Sequence, residues 1–262
     1  HNTIMRPEWF KNSFWFRDIT GPLSYGLTSP QTSLRGFILT IQAHFMRHML
    51  FEQGAPTRTP SQTEEKSSDT EEFITPKHID RLRFLALAIR DVIWQAADKA
   101  TGVCRLAVLM ENPITVDDTN YSRDGCTERV QCFTFTDKVE LFVFIKTHIR
   151  FFYGESGCGC LLVLYSIILT REIEKVKKDM NDLYTSLITN RGLCTISLIT
   201  LCLTGTATPY LHNGSIQSSD PRCYGKTEVG ITSRCNVGLL MYHSNKSDKV
   251  RLFGQFVIMR DG

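Results

Sequence analysis

No cysteine occurs in the first 103 of the 262 residues, although the chain carries nine. The N-terminal third therefore has no thiol of its own with which to attack a carbonyl. No Cys-x-x-Cys pair occurs anywhere, and nine is an odd count, which argues against a closed disulfide framework and for free thiols. Long apolar runs are missing too. The longest covers residues 158–169 (CGCLLVLYSIIL), short of the roughly 20 residues that span a bilayer, and reads as a buried core helix. An excess of one charge is also lacking: 30 Lys and Arg against 27 Asp and Glu give a formal net charge of +3. That balance is too mild for a nucleic-acid binder, and no basic run is interleaved with aromatics. No signal-like stretch opens the chain, so a reducing, cytoplasmic setting without membrane partners is expected.

What is present is an ordinary globular composition, 42% hydrophobic and 22% charged, able to bury a sizeable core. On length alone, one domain or two would fit. Residues 8–18 form an aromatic-rich lead-in. Apolar side chains at Leu34, Phe37, Ile38, Ile41, Phe45, Met49 and Leu50 recur at helical spacing and predict one buried face. Thr32 and Ser33 stand where an N-cap belongs, so this helix is expected to begin at Ser33 or Leu34. Residues 52–76, rich in Ser, Thr, Pro and Glu, have too little apolar surface to offset ordering entropy and read as a disordered insertion. A helix over about 77–97 follows, started by Thr75-Pro76. Strands are predicted at 104–110, 130–136 and 249–260, helices at 137–152, 157–180 and 194–203, and a loop at 205–228. The pattern is that of an α+β domain.

A cysteine in the first turn of the helix at 34–51 would have its thiolate stabilised by the helix dipole and free amides. This chain has Arg35 there. A cation at that end costs about 0.3–1 kcal/mol of dipole interaction, and a guanidinium cannot act as a nucleophile.

The segment from Glu8 to Leu27 (EWFKNSFWFRD…LSYGL), with the helix after it, resembles the MINDY family of deubiquitinases, in particular its fourth branch. Family members follow a Tyr/Phe-Gly-Leu/Ile step with a glutamine and then Gly-Gly-Pro-Cys-Gly at the helix start. Counting without a gap from Tyr25-Gly26-Leu27 to Gly36 puts the family cysteine at Arg35, its oxyanion glutamine at Ser29, and Gly-Gly-Pro at Thr32-Ser33-Leu34. Gln42 and Ala43 match a following Val-Gln-Ala stretch. Phe84 to Ala88 with Ile93-Trp94, residues 153–174, residues 190–205 and the stretch from Val229 to Leu240 resemble further family elements in the same order. Because the matches continue on both sides of residues 52–76, the resemblance implies one domain over 1–262, with a papain-like cysteine-protease fold. It also implies a partner, lysine-48-linked polyubiquitin or ubiquitinated proteins. The histidine base of active members would lie beyond Gly262, so a C-terminally truncated chain is expected. The resemblance thus implies a pseudo-deubiquitinase with no intact catalytic residue. The alternative is an active ubiquitin carboxyl-terminal hydrolase using a displaced thiol.

Other constellations have plainer readings. His44 and His48 share a helical face, but no Glu follows the first His as in metalloproteases, and two partly buried or surface histidines are expected. Cys158 and Cys160 are one thiol pair without a second and read as small buried hydrophobes. Cys104, Cys132, Cys158, Cys194 and Cys235, with His148, His212 and His243, offer nominal nucleophile–base pairs. Most of these thiols lie in apolar stretches that keep them protonated. Glu172, Glu174, Lys175, Lys177 and Lys178 read as a solvated mixed-charge face. The sequons at Asn120, Asn213 and Asn245 carry little weight in such a chain. No metal or other cofactor is expected.

Overall fold

Two helices that enclose each other's apolar faces organise the molecule. In the computed structural model, residues 6–21, 23–29, 32–51, 76–110, 124–181, 186–218, 225–242, 251–253 and 258–260 are described, from 239 onward by their backbone alone. Helix α1 (Pro7–Lys11) starts on a proline, whose missing N–H is no loss in a first turn. It buries Trp9 completely, with the indole N–H donating to the Gly192 carbonyl at 3.1 Å. Helix α2 (Arg35–Phe51) lays Phe37, Ile38, Ile41, Phe45 and Met49 into the core. Its first helical residue is Arg35, one or two positions later than the capping residues suggest. Leu34 is fully buried as expected, whereas Leu50 is 51% exposed, rotated off the buried face near the end of the helix.

Helix α3 (His78–Ala96) is the hub. Six consecutive residues from Phe84 to Ile89 are buried, so it is enclosed all round, packing against α2, α4 (Lys138–Thr147), α5 (Gly159–Arg171) and α7 (Ile196–Thr204). Strands β1 (Cys104–Leu109) and β2 (Val130–Phe135) pair antiparallel, Leu106 opposite Phe133. The inner strand β1 lies on α5, and two α5 hydroxyls hold it there: Ser166 accepts the Ala107 N–H and Thr170 accepts the Arg105 N–H, both at 2.8 Å. Helix α4 is capped by Asp137, whose carboxylate accepts the Val139 and Glu140 amides at 2.7 and 2.8 Å. The expected helix over 137–152 continues past α4 as a separate 3-10 turn, Ile149–Phe151.

The helix expected over 157–180 is two. Glu172 adopts φ +69°, which ends α5 and starts α6 (Ile173–Asp179) in a new direction. The stretch expected as loop from 205 contains β3 (Ser215–Gln217) and enters β4 (Thr227–Val229), an antiparallel pair. Strand β5 (Leu239–Tyr242) runs antiparallel to β6 (Arg251–Phe253) and parallel to β7 (Ile258–Arg260). The result is a mixed α/β domain with one main core. Most of the disordered insertion proposed at 52–76, together with Asn120, His243 and Asn245, lies outside the described residues. Among the described residues no helix is long and apolar enough to cross a membrane.

Candidate functional site

The approach to α2 is a pinned loop. Phe16 and Leu27 form an antiparallel bridge, and Arg17 N–H donates to Gly26 O at 2.9 Å while Thr28 N–H donates to Trp15 O at 2.7 Å. Gln42, from the second turn of α2, reaches back and accepts the Leu27 N–H at 2.5 Å. Arg81 of α3, itself buried, donates to Ser24 O at 2.9 Å and stacks its guanidinium over Phe16 at 4.8 Å. The Tyr25-Gly26-Leu27 step is therefore fastened to both α2 and α3.

Ser29, Thr32 and Ser33 run from this step into the helix. Their three hydroxyl oxygens are buried, and none has a hydrogen-bond partner among the described residues. Arg35 is the first helical residue and is exposed; its N–H donates to Thr32 O at 3.1 Å. The arginine and serine singled out by the sequence thus lie on one short segment.

A thiol does stand at this helix start, but it comes from elsewhere in the chain. Cys194 donates its S–H to Ser33 O at 3.3 Å, and a Cβ added at Gly36 would meet the Cys194 Cβ at 3.2 Å. Burial pushes this thiol up to about 11, more than the Phe37 N–H beside it can draw it down. Burial also raises Cys104 to about 12, and raises Cys160, Cys202, Cys132 and Cys235. Cys132 is an exception to the apolar setting expected of most thiols: it lies exposed on β2. The mutual interaction of the Cys126 and Cys158 thiols, with burial, raises Cys126, while the same interaction lowers Cys158. Cys158 precedes α5, whose N-terminus suits a thiolate, yet it is only 6% exposed.

The five described histidines all have other occupations. His78 packs edge-on against Phe16 and Tyr153, His148 stacks on Phe144, and His212 lies beside Tyr210 and Glu228. His44 and His48 are fully buried, not partly exposed, because α2 turns their face onto α3 and α7. His44 Nε2 lies 3.2 Å from Cys202 O, and its Nδ1 has no partner among the described residues; burial brings it down to about 4. His48 Nε2 lies 2.7 Å from Asp91 Oδ2, and Arg47, Arg90 at 2.7 Å and Lys138 at 3.0 Å close on the same carboxylate. Burial would raise Asp91, but the His48 bond and the Arg90 and Lys138 charges overcome it and hold the carboxyl well below the usual range. Asp91 was missed from sequence, and Gln42 was singled out only as a family match, not for its bond to the Leu27 amide. The only trace of Asp91 is the Arg90-Asp91 pair inside an otherwise apolar stretch of helix.

Among the described residues no group of three His, Cys, Asp or Glu side chains is arranged to hold a metal. Cys158 and Cys160 are both buried. On the expected mixed-charge face, Lys175 pairs with Glu172 at 3.0 Å and Asp98 at 2.7 Å, and Lys177 with Glu174 at 2.9 Å. A cleft of about 630 Å³ opens beyond it, lined by Lys99, Arg171, Lys178, Asp179 and Gly205 among others, and includes neither Ser29 nor Arg35.

The described residues form a mixed α/β domain in which a pinned Tyr-Gly-Leu step leads toward the second helix, and its class is that of the deubiquitinase family it matches. The chain belongs to the family described as deubiquitinating enzyme MINDY-3/4, conserved domain, which matches residues 1–255. It is 31% identical over 234 residues to the mouse protein named probable ubiquitin carboxyl-terminal hydrolase MINDY-4, covering 89% of this chain and 29% of that one. The human protein of the same name is 27% identical over the same length. Ubiquitin carboxyl-terminal hydrolase MINDY-3 of Xenopus tropicalis is 42% identical over 83 residues, 31% of this chain and 18% of that one. The chain thus spans less than a third of the length of these MINDY-4 relatives. No solved structure gives a significant match.

Proposed function

We propose that this chain is a pseudo-deubiquitinase, a papain-like domain that binds lysine-48-linked ubiquitin chains without cleaving them. One observation carries the reading: the residue that opens α2 is an exposed arginine, and the only described thiol beside it, Cys194, is held protonated by burial. Cysteine hydrolysis needs a thiolate, an imidazole in hydrogen-bond reach and donors for the oxyanion. Arg35 supplies no nucleophile. Ser29 is shorter than the glutamine that the resemblance puts there, and losing one oxyanion donor costs about 10²–10³ in rate. None of the described histidines is hydrogen-bonded to a thiol. We further propose cytoplasmic residence, one domain interrupted by an insertion at 52–76, and neither nucleic acid nor membrane as partner.

A second reading has its own support. The relatives are named as hydrolases, and Cys158 is drawn down by the Cys126 S–H. A displaced nucleophile there would still have to open a nearly closed site. Anisotropy of labelled lysine-48-linked tetra-ubiquitin, titrated with the chain and followed for hours, separates the two. A saturable rise that persists is expected. A rise that decays as the chains shorten would overturn inactivity, and no rise would overturn ubiquitin binding.

A further inference from the structure

We propose that the cleft between the C-terminal ends of α3 and α7 and the helix α6 is a binding site for a small, soluble phosphorylated polyol. The proposal does not depend on the ubiquitin reading. The cleft encloses about 630 Å³, within the range of small-molecule sites. Both carboxylates among its described lining residues are already engaged. Asp179 accepts Nε and Nη2 of Arg171, each at 2.7 Å, and the Ala207 N–H at 3.1 Å. Asp98 accepts Lys175 at 2.7 Å and the Ala100 N–H at 2.8 Å.

What remains unengaged is a set of donors. Lys99 and Lys178 line the cleft, and neither forms an ion pair among the described residues. The Lys175–Asp98 bond brings them together, because it ties α6 to the turn after α3. Lys99 directly follows Asp98, and Lys178 stands one helical turn beyond Lys175. Two ammoniums that share a cleft without a counter-charge repel each other, and an anion between them reverses the sign of that interaction. The dipole of α6 accounts for a cation in its last turn. Two stand there, however, and Lys177 pairs with Glu174 at 2.9 Å while Lys178 lines the cleft unpaired among the described residues. The rest of the lining identifies the organic part of the ligand. Asn181, Thr206, Thr232 and Ser233 contribute amide and hydroxyl groups, which can both donate to and accept from a hydroxyl. No aromatic ring is among the described lining residues, so a nucleobase would find no face to stack on. A polyol phosphate answers both features, with its phosphate between the lysines and its hydroxyls against the amide and hydroxyl groups.

The test titrates the whole chain with inositol trisphosphate by isothermal calorimetry. We expect saturable binding that Lys99→Ser and Lys178→Ser each weaken about fivefold, the scale of a good exposed ion pair. Lys177→Ser, which removes a cation from the same turn but outside the cleft, should leave the affinity unchanged. All three lysines are exposed, so the variants are expected to fold as the unaltered chain does. No saturation, or equal weakening by all three variants, would mean a general attraction of anions to a basic chain and overturn the site. Pyrophosphate or ATP binding as tightly as the trisphosphate would overturn the polyol assignment. A phosphoinositide headgroup carries the same chemistry, and vesicles containing phosphatidylinositol bisphosphate separate the two sources. Flotation of the chain with those vesicles, without binding of the soluble trisphosphate, would overturn a soluble ligand.

Discussion

Asp91 is the residue on which the most charge converges. Its carboxylate, itself almost buried, faces Arg47, Arg90, Lys138 and His48 at once. Removing that one negative charge leaves three cations and an imidazole crowded between α2, α3 and α4, and breaking a buried pair by deleting one partner costs roughly 3–5 kcal/mol. Asp91→Asn is therefore expected to lose stability on that scale in urea denaturation. Lys138→Gln, whose side chain is 43% exposed, is expected to lose under about 1 kcal/mol; equal losses in the two would mean that the cluster is not organised around the aspartate. The histidine pair was legible in sequence as an i, i+4 repeat. Its burial was not, because the group that satisfies His48 lies 43 residues away and no local pattern announces a partner at that distance. Gln42 is a similar case: its spacing marks a position on α2, and only the folded loop reveals the Leu27 amide that it accepts.

At the scale of elements, helices were legible where apolar residues recur at 3.6-residue spacing, and α3, β1 and α7 fall within a residue or two of expectation. The break between α5 and α6 was not, since a glutamate at φ +69° carries no glycine or proline to mark it. The β3–β4 pair was hidden because all three residues of Ser215–Gln217 are exposed and lack an alternating pattern. Packing between elements makes one firm demand. Helix α7 ends on Gly205 at φ +78°, and a Cβ there would stand 1.9 Å from the Gln95 carbonyl at the end of α3. Gly205→Ala combines a left-handed non-glycine residue with a backbone clash, and a loss of about 2–4 kcal/mol is expected. A thermal melt would register it, and an unchanged Tm would show that the α3–α7 junction tolerates separation. The start of α2 makes the converse case. Arg35 is exposed, so Arg35→Cys should leave stability nearly unchanged. It is also expected to leave chain cleavage undetected, because Ser29 remains and none of the described histidines is bonded to this turn. Robust cleavage of tetra-ubiquitin by that single variant would show that only the nucleophile had been lost.

For the whole molecule, the buried histidine sets how stability responds to acid. His44 titrates near 4 in the folded chain because burial disfavours its charged form, against an ordinary value of 6.5. Between those values the unfolded chain takes up a proton that the folded chain refuses, so stability falls as pH drops through that window, by about 3 kcal/mol in all. Below about 4 both states bind the proton and His44 contributes no further loss. Asp91 acts in the same direction but at lower pH. Its carboxyl is held below the ordinary range by His48, Arg90 and Lys138 against the effect of burial, so its contribution is intact at higher pH and is lost only as pH falls below the ordinary carboxylate value. The two groups therefore give two separate acid limbs from one cluster. Urea midpoints measured from pH 7.5 to 3 should decline first through the histidine window and again below it. His44→Gln can keep the hydrogen bond to the Cys202 carbonyl without a titrating ring, so it should flatten the first limb and leave the second. If the variant instead kept the slope between pH 6.5 and 4, the acid response would have to come from the surface, where charges are screened and a salt dependence would betray them.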